Sequence, residues 1–237
     1  MKVDFIEEAD IEAEANYLIK LYEAKYGSIQ GYMVPVEEIA ELTLGYHLDI
    51  MDLNKVFPEA EVNGFIDFDN NRIAIHSGLE PFENPNYIGR YNSTIGHECG
   101  HHTLHKQQVV ELQKQSSVFA DNDGNKVLCR KKDAKESIEW QADCFGSYLT
   151  MPKDRMYKLW QDNFGSLKPK LKADFRVNFN PMTILSKQID ELVEIALSDF
   201  ARSQVGVSSQ ALRIRLEKLG LLVSDKLSIE AYEGAFA

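Results

Sequence analysis

Cysteine, proline and tryptophan are scarce in this chain of 237 residues, which holds three, seven and two of them. Cys99, Cys129 and Cys144 are odd in number and show no Cys-x-x-Cys spacing. That excludes a disulfide framework or a cysteine zinc cluster and fits a reducing, cytoplasmic setting. No stretch approaches the roughly 18 apolar residues of a membrane helix, so no span is expected. The N-terminus, MKVDFIEEAD, lacks a basic segment followed by an apolar run and does not read as a signal peptide. Positive charge is also short. Lys and Arg number 26 against 37 Asp and Glu, a net −11, and residues 1–50 alone hold 11 acids and 3 lysines. An acidic chain lacks the basic face with which a general nucleic-acid binder displaces counterions. The acidic start reads as a solvated helix face.

What remains is an ordinary globular composition, 44% hydrophobic and 27% charged, in a chain long enough to bury a core without staples. Ile11, Ala15, Leu18, Tyr22 and Tyr26 form one apolar stripe and predict a helix over 7–26 that Gly27 ends. A short helix follows Pro35 and stops at Gly45. Phe65 to Phe68 and Arg72 to Ile75 flank Asp69-Asn70-Asn71, which predicts a hairpin within 60–78. Residues 79–90 read as a loop, after which Asn92 or Ser93 caps a helix to about Lys106. A second turn is expected at DNDGN, in 117–130. It resembles a calcium loop only faintly, being too short and lacking the distal glutamate. Helices are expected over 134–149, 153–162 and 182–203. The last unit, 207–222, has Ser208 as N-cap, Ala211, Ile214, Leu216 and Leu219 as apolar positions, and Gly220 beyond its end. A soft boundary in the Lys/Pro/Asn-rich 164–181 divides the chain into residues 1–165 and a helical region, 166–237.

The sharpest chemical signal is His97-Glu98-Cys99-Gly100-His101. Positions i and i+4 stack on one helix face, so both imidazoles can reach one ion. Glu98, one step round, can hold water without being a primary ligand. This is the logic of a zinc hydrolase, in which the cation acidifies water and a carboxylate takes the proton. A catalytic zinc needs a third protein ligand and one open position. Leu104 and Gln107 stand where the long His-x-x-Gly-x-x-His form needs Gly and His, which excludes that form. The segment DAKESIEWQADCFGSYLT supplies two alternatives, Glu136 and Glu139. Glu139 is favoured, because Asp143 follows one turn later, where a carboxylate can accept the free ring N–H of a ligating histidine. The apolar neighbours Ile138, Trp140, Ala142 and Phe145 also argue for a packed helix.

IGHECGHHTLH followed by EWQADCFGSYLTMP resembles the ImmA/IrrE family of metallopeptidases. That family's pattern is HELGHxxLH, then E-x-x-A-N/D-x-F-A, then a Met-Pro-like close. Cys99 replaces the usual Leu and Gly146 the usual Ala, neither at a ligand position. VPVEEIAELTLG, RYNSTIGHE and VSSQALRIRLEKLGLL resemble further family segments, so the matches run from about residue 34 to 222. The resemblance implies an α+β fold: a zincin-like core with a small twisted sheet and an active-site helix, plus a C-terminal helix-turn-helix-like part. Carried over by position, it implies His97, His101 and Glu139 as zinc ligands, with Mn2+ or Fe2+ as alternatives, and Glu98 as general base. It also implies a zinc-dependent endopeptidase that cleaves a helix-turn-helix transcriptional repressor and so relieves repression. The alternative is a regulator that binds its partner on the same scaffold with little turnover.

Other residues carry weaker expectations. Arg90, Tyr91, His102 and His105 neighbour the motif in sequence and are candidates to stabilise an oxyanion. As a fellow ligand His105 is excluded, since a 97/101/105 set spreads about 12 Å along the axis; a hydrogen-bonding role is expected instead. Cys99 and Cys144 read as small buried residues, His47 as ordinary and His76 as a strand-end residue. An extended substrate is expected to add a strand alongside Arg72–His76. Arg213, Arg215 and Lys218, set against Glu217, read as packing or protein contacts rather than DNA contacts.

Overall fold

The computed structural model describes residues 5–58, 61–107 and 132–224, so the turn expected at 117–130 lies outside the described residues. The chain forms two compact units, Met1–Ile29 with Val34–Thr150, and Gln30–Met33 with Met151–Ala237. Together they make a mixed α+β fold of helices with a small sheet.

In the first unit α1 (Glu8–Tyr26) buries Ile11, Ala15, Leu18, Ile19 and Tyr22, the expected stripe. It ends at Gly27, whose φ of 91° lies in the region that favours glycine. After Pro35 a single turn, α2 (Val36–Glu38), widens into a π-helical turn, Ile39–Thr43. Strand β1 (His47–Met51) and the short α3 (Leu53–Val56) follow. The expected hairpin is β2 (Gly64–Asp67) and β3 (Arg72–His76), with Asn71 turned to φ 48° in the bend.

The sheet order is β1-β3-β2. β1 runs parallel to β3, with Leu48 opposite Ile73, and β2 runs antiparallel, with Phe65 opposite Ala74. Both edges of β3 are therefore taken, and a substrate strand cannot join it as expected. Among the described residues the outer edges belong to β1 and β2, and β2 meets the next helix: a Cβ on Gly64 would fall 2.5 Å from Cγ2 of Thr94.

That helix, α4 (Ile88–Gly100), starts earlier than Asn92 or Ser93, after a 3-10 turn at Pro85–Tyr87 in which the Asn84 side chain accepts from the Asn86 N–H. Asn92 is buried within α4, and the Ser93 hydroxyl donates to the Arg90 carbonyl, so neither is a cap. The helix continues as a π-helical turn over His101–His105. Its partner is α5 (Lys132–Thr150). The two cross antiparallel at small residues. A Cβ on Gly96 would lie 3.1 Å from Cα of Gly146, and one on Gly100 would lie 3.0 Å from Cα of Ala142. Ile95, Cys99, Phe145, Tyr148 and Leu149 seal the crossing into the core with α1 and the sheet.

The second unit begins at Met151 rather than at the expected 166. The reason is packing: Met156, Leu159 and Trp160 of α6 (Lys153–Phe164) join the core built by the C-terminal helices. β4 (Lys170–Leu171) pairs with β5 (Leu222–Val223). The helix expected over 182–203 is broken into α7 (Pro181–Ser186) and α8 (Ile189–Asp199), because Lys187 and Gln188 are extended. α9 (Ser209–Lys218) is capped by Ser208, whose Oγ accepts from the Ala211 N–H. Its inner face carries Leu212, Leu216 and Arg215, and leaves Ile214 half exposed. Among the described residues no helix is long and apolar enough to cross a membrane.

The crossing predicts its own sensitivity. A Cβ at Gly146 would sit 2.9 Å from the His97 backbone nitrogen, where no flexible side chain can yield. Gly146→Val is expected to lower the unfolding free energy by about 2 kcal/mol or more, read from urea denaturation of the metal-free protein. Unchanged stability would show that the helices have room to spare.

Candidate metal centre

The glycine crossing brings side chains from α4 and α5 to one point. His97 and His101 stand edge to face, ring centroids 4.6 Å apart. Across from them, Oε2 of Glu139 lies 3.2 Å from Nε2 of His97 and 3.7 Å from Nε2 of His101. One donor atom from each of the three residues lies within 4.8 Å of the other two. Glu136 has a side chain outside the described residues, so Glu139 is the described acid that faces the histidine pair.

The far side of each ring is also occupied. Nδ1 of His97 is 2.8 Å from Oδ1 of Asp143, the contact expected from the Glu-x-x-x-Asp spacing. Nδ1 of His101 is 3.2 Å from Nδ1 of His105, and Nε2 of His105 is 3.0 Å from Oε1 of Gln141. Gln141 was not singled out by sequence reasoning. The available signal was a polar residue on the apolar stripe of Ile138, Ala142 and Phe145, where it is completely buried.

The charges follow from this packing. Burial works against a charged His97, but its hydrogen bonds to Asp143 and Glu139, with Glu98 nearby, outweigh it and push the group up to about 10. Burial would likewise raise Glu139, but hydrogen bonds from His101 and His97 hold it well below the usual carboxylate range. Glu98, only 5% exposed, is raised by burial, with the histidines pulling the other way. Burial pushes His105 down to about 4, so it is neutral at pH 7.

Of the oxyanion candidates, Tyr91 is buried and donates to Oε2 of Glu37, 3.1 Å away. His102 has its Nδ1 2.7 Å from the Tyr46 hydroxyl, and burial lowers it to about 4. His105 is spent on His101 and Gln141, and Arg90 is exposed on α4. His76 accepts from the Gly78 N–H and so caps a turn at the end of β3, while His47 is exposed on β1. Cys99 is fully buried, which raises its thiol, and Cys144 is partly buried against the same core. Arg213 pairs with Glu194, Glu217 and Asp190, and the buried Arg215 donates to the Met151 carbonyl.

Two imidazole nitrogens and one carboxylate oxygen converging from separate helices make the donor set that divalent zinc takes in hydrolases, and the chemistry of the three residues fits such an ion. In the metal-free protein the raised His97 stabilises the fold fully below its unfolded value of about 6.5, and that contribution fades as pH rises through about 10. An arriving cation must displace that proton. Zinc titration in weak buffer at pH 7 is therefore expected to release about one proton from His97, with affinity rising about tenfold per pH unit towards pH 10. A flat affinity over that window would contradict the assignment of the proton to His97.

Residues 70–184, which hold every one of the side chains at this centre, match the family model described as Peptidase_M78, the IrrE N-terminal-like domain. No curated protein matches the chain. The glycine-crossed helices and the histidine–glutamate cluster thus lie within one stretch, residues 70–184, that matches the IrrE N-terminal-like domain of M78 peptidases.

Proposed function

We propose that the protein is a zinc-dependent endopeptidase that cleaves a helix-turn-helix transcriptional repressor. In this reading His97, His101 and Glu139 hold the ion, Asp143 orients His97, and Glu98 is the general base. The observation that carries it is the convergence of one donor atom each from His97, His101 and Glu139 within 4.8 Å, in a stretch that matches a metallopeptidase family model. When bound, the ion supplies Lewis acidity, polarising a peptide carbonyl and making water acidic enough to lose a proton near neutral pH.

The remaining work falls to the chain. Glu98 is almost wholly buried, and burial raises its carboxyl. A carboxylate made more basic in this way takes a proton from water readily and returns it to the amine nitrogen of the departing peptide. Glu139 stays ionised and balances the charge of the site. Asp143 accepts the Nδ1–H of His97 and leaves its Nε2 lone pair free. An extended substrate segment has β2, an outer strand among the described residues, as the sheet edge that touches α4. Strand addition there supplies backbone hydrogen bonds that do not depend on side-chain identity.

The choice of a repressor as substrate rests on the resemblance to ImmA/IrrE peptidases. The internal partners of Arg213 and Arg215 favour a protein partner over direct contact with DNA, and a cytoplasmic location follows from the same reading.

Glu98→Gln tests this directly. Incubation with a purified helix-turn-helix repressor, followed by mass spectrometry of the fragments, is expected to show cleavage by the zinc-loaded protein. The variant should cleave about 10²–10⁴-fold more slowly while still binding zinc and the repressor. A chelator should stop the wild type and added zinc restore it. Full biological effect from Glu98→Gln would instead favour a regulator that acts by binding alone.

A further inference from the structure

A histidine offers a lone pair to a cation at one ring nitrogen only when its proton resides on the other. For His97 the proton points at Asp143, a carboxylate whose side chain is 73% exposed. The His101 ring is buried, and among the described residues no carboxylate stands behind it; its Nδ1 faces Nδ1 of His105 instead. Two facing ring nitrogens can share only one proton, and something must decide which ring owns it. The deciding contact is at the far end of His105, where Nε2 meets the carbonyl oxygen of the Gln141 amide. An amide oxygen only accepts, so His105 carries its proton on Nε2 and its Nδ1 is bare. The proton between the rings then belongs to His101, which reserves Nε2 of His101, on the Glu139 side, for an ion in place of its hydrogen bond to Glu139. The Gln141 orientation is supported at its other end, where the amide nitrogen lies 3.3 Å from the Ser137 hydroxyl.

We propose that His105 and Gln141 are positioning residues that fix the tautomer and ring angle of His101, a neutral counterpart to Asp143 behind His97. The inference rests on the metal-binding reading of the centre. The difference between the two supports has a physical reason. Asp143 reaches water, so its charge is solvated. Gln141 is 0% exposed, near a site that already holds Glu98 and Glu139, where a further buried carboxylate would be costly. A neutral acceptor passed through a neutral imidazole directs the proton without adding charge. The π-helical turn at His101–His105 serves the same end. It sets the two rings 5.4 Å apart at 55°, with their Nδ1 atoms in hydrogen-bond range.

The experiment combines two readouts on full-length protein. Long-range proton–nitrogen NMR of the imidazoles in the zinc-loaded protein is expected to show His105 protonated at Nε2 and His101 protonated at Nδ1. Zinc affinity, measured by competition with a chromophoric chelator, is expected to fall about tenfold in Gln141→Leu and about 10–100-fold in His105→Phe. Gln141→Glu, which keeps an accepting oxygen at the cost of a buried charge, should bind zinc more tightly than Gln141→Leu. Gln141→Leu leaves the His105 Nε2–H without its acceptor and should also lower the metal-free melting temperature, so it is the shift of the His101 and His105 tautomers in this variant that a purely structural role would not give. Should His105→Phe fail to fold, the Gln141 pair and the tautomers decide. His105 protonated at Nδ1, or wild-type zinc affinity in Gln141→Leu, overturns the relay while leaving the metal site standing. A wild-type protein that binds no zinc overturns both.

Discussion

The close approach of α4 and α5 is the constraint on which the site depends. Helices ordinarily pack with axes 8–10 Å apart, a distance set by the side chains between them. Here Gly96 faces Gly146 and Gly100 faces Ala142, so almost no side chain intervenes. His97 and His101 project from α4 on one side of this seam, and Glu139 and Asp143 answer from α5. A carboxylate is short, and it meets the two imidazoles only because the backbones have come together. The glycines cost helix stability, roughly 0.5–1 kcal/mol each relative to alanine. That cost is offset by the apolar seal of Ile95, Cys99, Phe145 and Leu149, all fully buried around the crossing.

Charge is distributed over the site as deliberately as shape. Without an ion, His97 is held protonated and Glu139 ionised, so the cluster already carries the pairing that a cation would replace. The pair keeps the seam from being an uncompensated buried charge. Glu98 is almost wholly buried close to the histidines, and the same burial that would be a penalty elsewhere makes its carboxylate a stronger base. Two acids in neighbouring positions thus acquire opposite tendencies from their surroundings, Glu139 towards the ionised form and Glu98 towards the protonated one.

Much of this was legible in the residue order, because the helical period is short-ranged. The i, i+4 spacing placed His97 with His101 and Glu139 with Asp143, and the structure brings these four side chains together. The stripe of α1 and the turn at Asn71 were likewise local signals. What escaped was non-local. β1 has a weak alternation, with Ile50 exposed, and forms only because β3, reached much later in the chain, offers it a parallel edge. That pairing closes β3 and leaves β1 and β2 as the outer strands among the described residues, which strand propensity alone could not show. Gln141 escaped because a polar residue on an apolar stripe has meaning only once its partner is known. α6 fell on the other side of the expected boundary because Trp160, 1% exposed, finds its apolar neighbours in the C-terminal unit. On α9 the charges pack as expected, with Arg215 buried and bonded to the Met151 carbonyl, while the apolar Ile214 faces water because the inner face is taken by Leu212, Arg215 and Leu216.

The most direct measurement of the central claim is X-ray absorption at the zinc edge, on protein loaded with one equivalent of the ion. The account predicts a four-coordinate shell of nitrogen and oxygen at about 2.0–2.2 Å, with the multiple-scattering pattern of two imidazoles that drops to one in His101→Ala. A sulfur neighbour at about 2.3 Å, or a shell without imidazole scattering, would contradict it.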